Sequence, residues 1–96
     1  MENVFVRRMK IKEIVSLYSG FLGELTTSLR SQRATIDIRN VESQALKILE
    51  EKLTDRELTA ILEIEGDPSD RFPGVRNRIK QLLRKEIAES LLRDDL

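Results

Sequence analysis

The chain has 96 residues, with 17 Lys and Arg against 17 Asp and Glu, so its formal charge is zero and supplies no overall attraction to nucleic acid or to an anionic membrane. The absence of His and Cys removes the usual general base, the commonest metal ligand, disulfides and thiolate chemistry together. Hydrophobic residues make up 40%, with no Trp and only Phe5, Tyr18, Phe21 and Phe72 aromatic, which suits one domain with a modest aliphatic core.

The charge is unevenly placed. Residues 1–41 and 71–96 each carry an excess of three positive charges, and 42–70 an excess of six negative ones. That pattern suits pairing within the chain or between copies of it.

Asn3 to Val6 read as a strand-like but isolated stretch, which either packs along the rest or pairs with a second copy. Arg7, Arg8, Lys10 and Lys12 then precede the weakly charged run of residues 14–29, an order that superficially resembles a secretion signal. Glu13 and Glu24 interrupt the run, no small-residue cleavage site follows, and it is shorter than the ~20 residues of a membrane span. The expectation is a cytoplasmic soluble protein.

The clearest element is a helix over residues 9–31. Ile11, Ile14, Val15, Tyr18, Phe21, Leu22, Leu25 and Leu29 recur at three- and four-residue steps and share one face. Gly20 and Gly23 fall inside it, where each costs about 1 kcal/mol relative to Ala. Ser16, Gly20, Gly23 and Thr27 align as a small-residue stripe beside the apolar face. Such a stripe either lets another helix backbone approach closely or marks glycines that loosen or kink the helix.

A polar connector follows, with Asp37 or Asn40 as the cap of a second helix over 38–53 that turns Val41, Ala45, Ile48, Leu49 and Leu53 inward. Thr54 with Glu57 forms a capping box, and Leu53 with Leu58 the matching hydrophobic staple. They open a third helix over 55–65, with Leu58, Ile61, Leu62 and Ile64 as its inner positions, which stops at Gly66. A fourth helix over 74–92 carries Val75, Ile79, Leu82, Leu83, Ile87, Leu91 and Leu92 inward, and the final RDDL is expected to fray. The expected fold is all-α, a small bundle of about four helices that a second copy would complete.

The segment GDPSDRFPG, residues 66–74, holds both prolines and two of the four glycines. Its aspartates repel a phosphate, its prolines remove N–H donors, and Asp67 and Asp70 lack calcium-loop spacing. It reads as a hinge, with Pro73 at a helix start and Ser69 or Asp70 offered as the cap. Neither a cofactor nor a metal is expected.

Arg71, Arg76, Arg78, Lys80, Arg84 and Lys85 form the other candidate site, a basic helix suited to nucleic-acid backbones. Arg76, Lys80 and Arg84 run along one flank of the apolar stripe while Arg78 and Lys85 lie on the other, as charged side chains bordering a buried face do. Catalysis would rest on Asp, Glu, Lys, Ser or Tyr18, and Tyr18 lies on the apolar face. The sequence therefore points to a non-enzymatic protein–protein interaction module, a homodimer built on Ser16, Gly20, Gly23 and Thr27. A small nucleic-acid-binding regulator is the alternative.

Overall fold

The computed structural model describes residues 3–69 and 71–93. Helix α1 (Val4–Leu17) begins five residues before the expected start, because the Asn3 side chain accepts from the Val6 N–H at 2.8 Å. A filled N-cap satisfies a donor that the β-branched residues would otherwise leave bare, and it overrides their extended preference. The strand-like reading of Asn3 to Val6 is thus corrected to the first helical turn.

The long helix expected over 9–31 is two helices. It is interrupted at Tyr18, whose φ of −98° and ψ of 14° leave the helical region, and α2 (Ser19–Arg30) continues beyond it. Tyr18 still donates to the Ile14 carbonyl at 3.0 Å and accepts from the Leu22 N–H at 2.9 Å, so chain direction is kept through the break. The interruption falls at the tyrosine and not at either glycine; Gly20 and Gly23 both lie within α2.

Helix α3 (Ile38–Lys52) starts from a reciprocal box in which Asp37 is the cap and Asn40 reaches back to its N–H, so both candidate residues take part. Helix α4 (Asp55–Glu65) starts from the Thr54 and Glu57 box, with Leu58 fully buried and Leu53 half-buried against the core. Helix α5 (Pro73–Leu91) has Pro73 in its first turn, where a missing N–H costs nothing. Its preceding residue, Phe72, makes no side-chain cap bond, and Ser69 is engaged elsewhere; Asp70 and most of the terminal RDDL lie outside the described residues.

The result is a small all-α bundle in which α3 packs against α1, α2 and α5, while α1 also lies along α4. Every helix sends a fully buried side chain to the centre: Ile14, Leu22, Val41 and Leu49, Leu58, and Leu83 and Ile87. Ile36, in the connector, is buried beside them. Measured along its principal axes the molecule is flat, 39 × 30 × 17 Å.

Two arginines close helix ends. Arg7 donates to the carbonyls of Glu50 at 2.7 Å and Leu53 at 2.6 Å, and also to the carboxylates of Glu50 and Asp55. It thereby serves the last turn of α3, whose carbonyls have no helical partner, and the first turn of α4 at once. Arg33 does the same for α5, donating to the Leu91 carbonyl at 2.9 Å.

Because the Arg7 side chain is only 16% exposed, its loss would remove four hydrogen bonds, two of them to partly buried acceptors at Leu53 and Asp55. Arg7→Met is expected to cost about 2 kcal/mol, read as a lower urea midpoint at unchanged slope. Arg8→Met, at the neighbouring exposed position, should change stability by no more than about 0.5 kcal/mol. Equal effects would show that the Arg7 contacts contribute nothing.

Candidate interaction surface

Helix periodicity and the Arg7 anchor decide which way α1 and α2 face. With Ile11, Ile14, Val15, Tyr18, Leu22, Leu25 and Leu29 buried, the opposite side is left to solvent. Ser16, Gly20 and Thr27 are exposed there, and Gly23 is half-buried. Among the described residues, a Cβ placed on Gly20 or on Gly23 would meet nothing within 4 Å. Phe5 (70% exposed) and Met9 (57%) extend the row toward the N-terminus, and Leu17 (52%) stands beside it. Thr27 returns its hydroxyl to the Gly23 carbonyl at 3.3 Å, while Thr26, buried, bonds back to Leu22.

At the break between the two helices, Tyr18 explains its own geometry. Its ring is buried and its hydroxyl donates to Glu65 Oε1 at 3.0 Å, an oxygen that also accepts from Arg76 Nε at 2.8 Å. This group ties the bend to the end of α4 and the start of α5. It borders a cavity of about 380 Å³ that Leu17, Gly20, Phe21 and Lys80 complete. Burial first, and the Glu65 hydrogen bond second, push the Tyr18 phenol above its ordinary range, so at neutral pH it is a protonated donor rather than a base or nucleophile.

The six basic residues of 71–85 are dispersed. Arg71 lies against Asp67 and Ser69, and Arg76 against Glu65. Lys80 and Arg84 flank the Phe21 ring, 5.9 and 5.2 Å from its centroid, and Arg78 and Lys85 are exposed. In the hinge, Asp67 accepts from the hydroxyl and N–H of Ser69, and these bonds, followed by Arg71, hold its carboxyl below the usual range. The residue offered as a cap for α5 therefore closes the turn instead. Gly66 is not left-handed; its φ is −82°, so its backbone does not require a glycine there.

A second concave surface was invisible in the sequence. Between α1 and α3, Arg8, Lys12 and Lys47 surround Ile11 and Leu46 in a groove of about 350 Å³. No local pattern connects positions 8 and 12 to position 47. Among the described residues no helix is long and apolar enough to cross a membrane, and no group of three His, Cys, Asp or Glu side chains could hold a metal. Comparison with known proteins finds no matching family, no similar curated protein and no similar solved structure.

Tyr18 is the only tyrosine, so phenolate absorbance reports on it alone. A folded-state pKa raised above the unfolded value of about 10 means that the contribution is complete below that pH and is lost as pH climbs toward the folded value. Phenolate signal should therefore appear only well above pH 10, together with loss of helical circular dichroism. Tyr18→Phe should remove that alkaline dependence and cost about 1 kcal/mol at neutral pH. Free ionisation of a folded chain near pH 10 would contradict the buried contact.

Proposed function

We propose that the chain is a protein–protein interaction module without enzymatic activity, which self-associates through the outer face of α1 and α2 at Ser16, Gly20, Gly23 and Thr27. The observation that carries this reading is the open space above both glycines. Gly23, in the interior of α2, reduces its stability by about 1 kcal/mol relative to Ala, and among the described residues nothing packs close enough to require it or Gly20. A second copy of the same face supplies the requirement.

The row is also self-complementary in size. Bulky Phe5 and Met9 occupy one end and Gly20, Gly23 and Thr27 the other, with Ser16 between them. An antiparallel two-fold pairing that crosses near Ser16 and Gly20 sets Met9 of one copy toward Gly23 of its partner. An interface of this kind uses one patch twice and closes on itself. The flat shape of the molecule supports the same reading, because a thin slab leaves broad faces uncovered.

The nucleic-acid reading has less support from the geometry. Arg71 and Arg76 are each held by a carboxylate, Lys80 and Arg84 border Phe21, and Arg78 and Lys85 lie on the other side of the α5 apolar stripe. A phosphate backbone is held best by cations arrayed along one surface.

Light scattering at micromolar concentration should return twice the 11.1 kDa chain mass. Gly20→Leu and Gly23→Leu should return the monomer mass with helical circular dichroism retained, since each new side chain points into open space within the chain. In a dilute, monomeric sample, Gly23→Ala should raise stability by about 0.5–1 kcal/mol. A wild-type monomer at high micromolar concentration sinks self-association.

A further inference from the structure

We propose that the groove between α1 and α3 receives an acidic, apolar-anchored helix of a partner protein. The groove adjoins the self-association row, because Lys12 lies one turn from Met9 and from Ser16, whereas Arg8 and Lys47 lie farther from that row. The groove has an apolar floor, formed by Ile11 and the half-buried Leu46, and a basic rim, formed by Arg8 and Lys12 on one wall and Lys47 on the other.

The rim charges are uncompensated. Among the described residues, Arg8, Lys12 and Lys47 form no ion pair, whereas Arg7, Lys52, Arg71 and Arg76 all do. The one carboxylate on the lining, Glu50, is already engaged by Arg7 at 3.0 Å. A partner that brings carboxylates to both walls gains from this imbalance, and one that brings cations is repelled.

The shape narrows the chemistry further. The groove is open to solvent, and its volume of about 350 Å³ is enough for one or two large side chains. A nucleic-acid backbone presents nothing apolar to cover the half-exposed Leu46. A helix with Leu- or Phe-sized anchors one turn apart and Asp or Glu beside them satisfies floor and rim together. Glu50 closes one end of the groove and disfavours a carboxylate there, which gives the bound helix a preferred direction.

The test is a selection from a display library of random helical peptides on the full chain, followed by anisotropy titration of the enriched sequences. The expected winners are net acidic with apolar anchors at helical spacing. Their affinity should fall at least about tenfold for Arg8→Glu/Lys47→Glu and weaken with added salt. Arg78→Glu/Lys85→Glu, which makes the same charge change at exposed positions on α5, should leave binding unchanged. Circular dichroism confirms that each variant is folded, and the groove variant should keep the oligomeric mass of the wild type, so failure here is distinguishable from failure of self-association. Three results overturn the proposal: no enriched peptide, enriched peptides without acidic bias, or equal weakening by both charge reversals. Binding to mixed phosphatidylcholine and phosphatidylserine vesicles in place of peptides would assign the face to a lipid surface instead.

Discussion

Arg7 is the contact on which the arrangement turns. One guanidinium reaches two main-chain carbonyls at the end of α3 and the carboxylates of Glu50 and Asp55, so it holds three helices at a single point. Its pull also sets the rotation of α1 about its own axis. With Arg7, Ile11, Ile14 and Tyr18 drawn inward at steps of four and three, Arg8 and Lys12 must border α3 while Phe5, Met9 and Ser16 face solvent. Both candidate surfaces of the protein are consequences of that rotation.

The unequal charge distribution finds much of its use inside the fold. The basic first segment meets the acidic middle through Arg7, and the basic last segment meets it through Arg71 and Arg76. Lys52 and Glu86 form a reverse pair between α3 and α5 at 3.4 Å. Arg7 and Lys52 meet the C-terminal end of α3 and Asp55 opens α4, where each charge also answers the helix dipole. Glu65 at the end of α4 and Arg76 at the start of α5 instead oppose their dipoles and compensate each other. The cations around the α1 and α3 groove are informative because three of them border one apolar depression.

The break at Tyr18 shows how a side chain can override periodicity. Nothing in the spacing from Ile11 to Leu29 announces an interruption, and the nearby glycines suggest one at the wrong residues. Burying a phenol carries a cost unless its hydroxyl is hydrogen-bonded, and the bonding oxygen lies 47 positions away on Glu65. Helix geometry yields locally to meet that long-range partner. The early start of α1 is the opposite case, in which one local bond from Asn3 outweighs the β preference of Val4 and Val6.

What the sequence determined by itself was encoded within a few residues: the helical class, the inward faces, the Asp37 and Thr54 boxes, and the Pro73 start, although the equally local Asn3 cap was masked by the β preference of Val4 and Val6. These depend on spacings of three or four positions and on caps that act within one turn, so they are readable without a fold. Tertiary structure alone decided that the Ser16, Gly20, Gly23 and Thr27 stripe is bare, that the basic residues of α5 are divided among carboxylates, Phe21 and solvent, and that Arg8, Lys12 and Lys47 share a groove. Each of these depends on which helix lies against which, and that is set by contacts between residues tens of positions apart.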